Sequence, residues 1–314
     1  MASPPSFPQR PPYAPDTASV GGVPNKTLDV PVTAVFLFVY FCLAATNIRI
    51  FRLNRRRNHK FIISGLLGGF CNVRTITCSL RIAWAYNLDN VSLVIAAEIL
   101  LNAGTLLIYF VNLVFAQRIL RAKQPEIGWN RWLSVALQSL YAVIGVVLVM
   151  TISTIVLSFY TLDQHTRNVC RDIYLFGTSY LLFIAILPIA LLLSSYLPKR
   201  SPNAEQFGHG TTELKTLILL VTSSLGIIIA GFRAGTTYMT PRSVTSPAWY
   251  DSKASFYCFD FVPEVLVLLL FVIARVDLLF TVPGHSSTTH SYSKSSGVEG
   301  QNDPKESAQL GVSG

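Results

Sequence analysis

The chain of 314 residues is 51% hydrophobic and only 13% charged, with a mean hydropathy of +0.46 and a formal net charge of +9. A soluble globular domain carries about 25% charged residues, so the composition excludes an ordinary soluble protein and indicates an integral membrane protein. Residues 1–30 are rich in Pro, Ser and Gly and predict a disordered N-terminus. They contain no apolar signal sequence, so we expect the first apolar segment to direct membrane insertion.

Seven apolar segments follow, each close to the roughly 20 residues that a helix needs to cross a bilayer. They lie at 31–48, 61–86, 91–116, 132–160, 172–197, 214–237 and 254–274. The pattern predicts an all-α fold, a seven-transmembrane-helix bundle over residues 31–280. Residues 281–314 are polar, with many Ser, Thr and Gly, and predict a disordered cytoplasmic tail.

Basic residues in the short loops predict the orientation of the bundle, since loops rich in Lys and Arg stay in the cytoplasm. The first and third loops are basic, whereas the second contains no Lys or Arg: Arg49, Arg52, Arg55, Arg56, Arg57, Lys60; Arg118, Arg121, Lys123, Arg131. We therefore expect the N-terminus outside and the C-terminus in the cytoplasm. This reading also explains the net positive charge without a nucleic-acid partner.

Two glycosylation sequons, at Asn25 and Asn90, fall on the predicted outer side. They favour a eukaryotic secretory-pathway protein of the plasma membrane or an endomembrane. Cys170 and Cys258 also fall at the predicted outer surface, where an oxidising environment would allow a disulfide between them. Free thiols are the alternative.

Six ionisable side chains are predicted at membrane depth, where a single charge opposes insertion by about 2.5–3.5 kcal/mol. They are Arg74, Arg81, Glu98, Arg233, Asp260 and Glu264. Three are basic and three acidic, as a closed network requires. We predict that Arg81 pairs with Glu98 or Asp260, and that Arg74 pairs with Glu264 or Glu98.

Helical spacing arranges these charges with other polar side chains in stripes, since residues three and four apart share a face. The third segment carries the longest stripe: Glu98, Asn102, Thr105, Tyr109 and Asn112. The stripes predict a polar pocket in the outer half, with Trp84 and Tyr238 as further walls, that binds a small amphipathic or anionic ligand. The candidate ligand-binding residues are Arg74, Arg81, Glu98, Asn102, Tyr109, Arg233, Tyr257, Asp260 and Glu264. The alternative is that these groups only lock helix packing.

Several membrane chemistries lack their residues in this sequence. All histidines fall in predicted loops or the tail, so intramembrane haem or zinc is not expected: His59, His165, His209, His285 and His290. We expect no cofactor. No Walker loop, GxSxG, HExxH or CxxC motif is present, and nothing in the sequence argues for enzyme activity, although Arg and carboxylates can do acid–base work.

Five segments carry a resemblance to a known family: RIAWA at 81–85, NLVFAQRIL at 112–120, FRAGTTY at 232–238, PAWYDSKASFY at 247–257 and ARVD at 274–277. With them the chain resembles a fungal family of multi-pass membrane proteins of unknown function, which implies no activity. It is more loosely similar to the fungal RTA-like family, seven-helix proteins associated with lipid translocation and resistance to toxic compounds. Tyr257, Asp260 and Pro263 match that family's Phe/Tyr-x-x-Asp-x-x-Pro pattern. This second likeness implies a lipid-related role.

Three functions are consistent with the sequence. The first is a lipid- or amphiphile-binding, receptor-like protein in which ligand in the outer pocket shifts the last helix. The second is a transporter or scramblase that moves an amphipathic molecule along the polar stripe. The third is a structural membrane protein. Membrane lipids are expected partners in each case, and the sequence specifies no cytoplasmic partner.

Overall fold

A computed structural model describes residues 11–13, 17–56, 61–197, 201–202 and 204–282. Within these residues the fold is all-helical, as predicted, and is built from seven long helices. They are α1 (Asp29–Arg56), α2 (Ile62–Tyr86), α3 (Val91–Lys123), α4 (Arg131–Tyr160), α5 (Gln164–Tyr196), α6 (Thr212–Tyr238) and α7 (Lys253–Ile273). Short helices at Pro125–Gly128, Trp249–Asp251 and Val276–Leu279 complete it. The predicted tail from 283 onward, and Arg57 and Lys60 of the first loop, lie outside the described residues.

Six of the long helices are long and apolar enough to cross a membrane, namely α1 and α3 to α7. The exception is α2, which has sufficient length with 25 residues but carries Arg74 and Arg81. The two arginines lower its mean hydropathy. The seven-span count therefore stays a prediction, whereas a multi-pass helical membrane protein is confirmed.

The helices run alternately up and down between two ends of the bundle. We call the end at which α1 begins the upper end and the end at which it finishes the lower end. Helix α3 is central, because it packs against α2, α4, α5, α6 and α7. Near the lower end Phe115 of α3 stacks on Phe280 with ring centroids 4.1 Å apart and meets Phe271 edge-on at 5.6 Å. Such pairs add about 0.5–1.5 kcal/mol to the burial of each ring.

The outward faces of the helices are apolar, as the core is. Large exposed hydrophobic side chains include Val35, Phe38, Phe41, Val146, Val149, Leu217 and Ile273, the last with 75% of its surface exposed. A water-soluble protein rarely exposes so many large apolar groups on its helices. The surface is suited to contact with lipid chains.

Two helices differ from their predicted form. Helix α5 begins at Gln164 rather than at 172, because the Asp163 side chain accepts a hydrogen bond from the Thr166 amide at 2.9 Å and caps the helix. Helix α7, predicted as one apolar segment over 254–274, contains a π-helical segment, Tyr257–Phe261, just before Pro263. Its wider turns are common at functional sites.

A polar contact fastens the last helix to the first at the lower end. Asp277 accepts hydrogen bonds from Arg275 at 2.9 and 3.0 Å and from the Asn54 side chain at 3.0 Å. Arg275 adopts the left-handed conformation, with φ of 48°, which lets the chain turn sharply after α7. Burial alone would raise the pKa of Asp277, but the hydrogen bonds from Arg275 and Asn54 outweigh burial and lower the pKa.

We predict that Asp277→Asn destabilises the protein by about 1–2 kcal/mol at neutral pH, since Asp277 is buried but Arg275 is half exposed. A lowered folded-state pKa stabilises the protein above the unfolded-state value of about 4, and this stabilisation is lost as the pH falls through the folded-state pKa. Thermal unfolding of detergent-purified protein at several pH values measures both effects. The exposed Asp89→Asn is the control, and an acid-side loss of stability equal in Asp277→Asn and wild type would contradict the assignment.

Candidate functional site

The deepest polar contact joins four helices around Glu264 of α7. Arg74 of α2 forms an ion pair with Glu264 and donates to the Thr105 hydroxyl at 2.8 Å. Thr105 of α3 and Tyr40 of α1 donate to the two Glu264 oxygens at 2.9 and 3.1 Å. Arg74 and Glu264 are fully buried. The structure thus confirms one of the two predicted partners of Arg74.

A second ion pair lies closer to the upper end, between α6 and α7. The Arg233 Nε donates to an Asp260 oxygen at 2.7 Å. Asn102 of α3 joins this pair, because its side-chain oxygen accepts from Arg233 at 3.4 Å and from the Tyr174 hydroxyl at 3.1 Å. Three predicted site residues, Asn102, Arg233 and Asp260, therefore meet.

The third cluster surrounds Asp29, the first residue of α1. Asp29 pairs with Arg81 at 3.0 Å and with Lys253, and accepts a hydrogen bond from the Tyr257 hydroxyl at 3.0 Å. The prediction that Arg81 pairs with Glu98 or Asp260 is therefore wrong. It failed because Asp29 lies just before the first predicted apolar segment and was not counted among the intramembrane charges.

A cavity of about 600 Å³ opens at the upper end, between α2, α3, α4, α5, α6 and α7. Five predicted site residues line it: Arg81, Glu98, Asn102, Arg233 and Asp260. Trp84 also lines it, as predicted, whereas Tyr238 is exposed and bonds Ser179 at 2.8 Å. The cavity is not lined by Arg74 and Glu264, which form the buried ion pair. Nor is it lined by Tyr257, whose hydroxyl donates to Asp29. We call this space the upper cavity.

The charged lining of the upper cavity is mostly basic. It consists of Arg81, Arg167, Arg171, Arg233 and Arg242 against Glu98, Asp251 and Asp260. Arg171 and Arg242 are exposed at the top of the bundle. These two residues, Phe159 and Tyr174 were not predicted, because they come from helix ends and a loop, where no helical period marks an inward face.

Glu98 differs from the other carboxylates of the upper cavity. Asp260 pairs with Arg233, and Asp251 accepts from the Ala248 amide at 2.9 Å. The Glu98 carboxylate has neither a salt bridge nor a hydrogen bond within the described part of the chain.

A small second cavity of about 20 Å³ continues below the upper cavity and shares Asn102, Tyr174 and Arg233 with it. Tyr109 lines it, and its buried hydroxyl has no partner within the described residues. The space is large enough for one water molecule, which would satisfy that hydroxyl. The predicted stripe on α3 thus borders both cavities.

The chain before α1 crosses the mouth of the upper cavity. In this N-terminal strap, residues 17–22, the Ala18 amide donates to the Arg242 carbonyl at 2.8 Å and the Gly21 amide to the Asp251 carbonyl at 3.0 Å. Arg81 donates to the Gly21 carbonyl at 2.9 Å. Gly21 has a φ of 85°, and a Cβ there would lie 2.7 Å from Phe256.

The structure contains Cys170 and Cys258 as free thiols, so the predicted disulfide is not formed. Cys170 is buried in the wall of the upper cavity, whereas Cys258 is on the exposed face of the π-helical segment. The sequon residues Asn25 and Asn90 are exposed at the upper end. Their glycosylation stays a prediction.

Apolar helices with lipid-suited outer faces and paired internal charges define a multi-pass helical membrane protein. A family model described as "Protein of unknown function (DUF3112)" matches residues 125–212 and 203–281, and the chain belongs to that family. No curated protein and no solved structure matches the chain. Membership of a family without a known activity was predicted and is confirmed, while the fungal source and the RTA-like likeness stay predictions.

We predict that Arg74→Leu and Glu264→Leu each destabilise the protein by about 3–5 kcal/mol, because each leaves the other charge buried and unpaired. The double variant should be more stable than either single variant, since no uncompensated charge remains. Thermal unfolding of the wild type and the three variants in detergent gives the coupling free energy between Arg74 and Glu264. Losses that simply add would show that the two groups are independent.

We predict that Gly21→Ala displaces the N-terminal strap, because the new Cβ collides with Phe256 and the positive φ disfavours alanine. The rate at which a soluble maleimide modifies Cys170, measured by peptide mass spectrometry, should rise several-fold. Gly22→Ala is the matched control, since Gly22 also has a positive φ but has open space for a Cβ. Equal rates in both variants would show that the strap does not cover the cavity.

Proposed function

We propose that the protein is a receptor-like seven-helix membrane protein that binds a lipid or small amphiphile in the upper cavity. In this proposal α2 also crosses the membrane, which brings the number of spans to seven. The pairing of Arg74 with Glu264 and of Arg81 with Asp29 supports this, because paired charges are tolerated inside a membrane. The basic first and third loops favour an upper end that faces outward and a C-terminus in the cytoplasm. The sequons support a plasma membrane or endomembrane of the secretory pathway.

The upper cavity is the observation that carries this proposal. Its volume of about 600 Å³ lies within the range of about 300–1,000 Å³ typical of small-molecule sites. Trp84, Ile155 and Phe159 give one side an apolar wall, while Arg171 and Arg242 give the rim positive charge. An amphiphile with an anionic group fits this division, because arginine binds phosphate and carboxylate groups in a bidentate manner.

The contacts of α7 suggest how bound ligand would be sensed. Asp260 lies in the cavity wall and within the π-helical segment, and Glu264 follows one turn below. A ligand that alters the Asp260–Arg233 pair would bias the conformation of this segment. The shift would reach the lower end through the contact of Asp277 with Asn54. Only a ligand that binds the two conformations with different affinity produces such a shift.

We predict that filling the upper cavity weakens ligand binding. Ala97→Phe places a large ring at a buried position of the cavity wall and should weaken the binding of a lysophospholipid by about tenfold or more. Ala45→Phe makes the same change on an exposed face of α1 and should leave affinity within about twofold. Binding is measured by native mass spectrometry of purified protein titrated with the lipid. Equal binding by both variants would contradict the proposed site.

A transporter or scramblase of RTA-like type is the alternative that one observation favours. The second, mostly apolar cavity extends from the shared residues Asn102 and Arg233 down to Tyr109. Below it Asn112 and Thr222 are hydrogen-bonded at 2.9 Å. Movement of a quenchable fluorescent phospholipid in proteoliposomes, lost in Glu98→Gln or Asp260→Asn protein that remains folded, would favour transport. If the folded protein neither binds nor moves lipid, the structural role is the function that remains.

A further inference from the structure

The Glu98 carboxylate has no ion-pair partner among the described residues. The two intramembrane arginines on the cavity wall, Arg81 and Arg233, form ion pairs with Asp29 and Asp260. An ionised carboxylate away from bulk water is unfavourable unless it gains a partner. Glu98 lines a space large enough for a ligand, so the partner can come from there.

Aromatic rings flank the same part of the upper cavity. Trp84 and Phe159 pack with Val94, which is one helical turn from Glu98 on α3, and Tyr174 packs against this cluster. Trp84, Phe159 and Tyr174 all line the cavity together with Glu98. Aromatic faces beside a carboxylate are the arrangement that binds ammonium groups, because the ring quadrupole and the negative charge both attract a cation.

Two exposed basic groups lie at the rim of the cavity. Arg171 extends from α5 and Arg242 from the loop before α7, and both are exposed. Within the part of the chain that the structure describes, the Arg171 side chain donates one hydrogen bond, long at 3.4 Å, to the Met239 carbonyl. These guanidinium groups are thus placed to meet an anion that enters from the upper end.

We propose that the upper cavity is selective for zwitterionic amphiphiles, in which a positively charged nitrogen binds at Glu98 and the aromatic rings, and a phosphate binds at Arg171 and Arg242. The proposal rests on the proposed ligand-binding function and adds the chemical class of the ligand. A purely anionic amphiphile leaves Glu98 unpaired and is repelled by it. A metal ion is a poor occupant, because divalent cations require several oxygen ligands and Glu98 supplies one carboxylate.

The test compares amphiphiles that share one chain and differ in the head group. Octylphosphocholine, octyl phosphate and octyl glucoside are each titrated, below the critical micelle concentration, into the full-length protein in nanodiscs, with empty nanodiscs as the reference. Isothermal titration calorimetry gives the affinities. We expect octylphosphocholine to bind about tenfold more tightly than octyl phosphate or octyl glucoside. This ranking needs only the wild-type protein, so it does not depend on the folding of a variant.

Glu98→Gln identifies the residue responsible. It should weaken octylphosphocholine binding about tenfold and leave octyl phosphate binding equal or stronger, because the repulsion is removed. Asp89→Asn removes the same charge from an exposed position at the upper end and should change neither affinity. Equal affinities of the wild type for the three probes, or an unchanged preference in Glu98→Gln, would overturn the zwitterion assignment while leaving the amphiphile site in place. Failure of all three probes to bind would overturn the proposed function as well.

Discussion

The cost of placing a charge in an apolar interior determines how this bundle is assembled. Three buried carboxylates each meet a cation from a different helix: Glu264 meets Arg74, Asp260 meets Arg233, and Asp29 meets Arg81. Removing one partner of such a pair leaves the other unsatisfied, at about 3–5 kcal/mol. Helix register is therefore fixed by electrostatics as well as by packing, and α7 is fastened to α2 and α6 at two depths.

The same constraint explains why the upper cavity lies where charged groups are accessible. Around Glu264 the polar groups of four helices bond one another, and aromatic rings such as Phe115 on Phe280 pack below. Nearer the upper end, the Glu98 carboxylate and the Tyr109 hydroxyl have no partner among the described residues. Such groups persist where water or a ligand can reach them. The π-helical segment of α7 lies between these two regions, beside the cavity wall.

The sequence predicted the long helices and much of the polar interior, because both depend on local patterns. The length of the apolar runs defined the segments. Helical spacing placed Arg74 and Glu264 on polar stripes, so their ion pair could be predicted. The partner of Arg81 was not predicted, because Asp29 is the first residue of its helix. Apolar sequence follows Asp29 but does not precede it, so Asp29 was not counted as an intramembrane charge. A signal existed in the α1 stripe of Asp29, Thr33 and Tyr40, which share one buried face.

Other features depend on contacts between distant parts of the chain and have no local signal. The N-terminal strap was expected to be disordered, yet its backbone is held by the loop before α7 and by Arg81. The cavity wall likewise depends on helix ends meeting in space, as for Phe159 and Tyr174. Between the two alternatives for Cys170 and Cys258, the structure has the free thiols, and a position at one surface does not by itself bring two cysteines together.

Electron cryo-microscopy of the protein in nanodiscs of its own membrane lipids would show whether the upper cavity holds an amphiphile. We expect elongated density inside the cavity, with its head between Glu98 and the guanidinium groups of Arg171 and Arg242. A well-resolved map with only water in the cavity, beside intact ion pairs, would show that the cavity is not a lipid site.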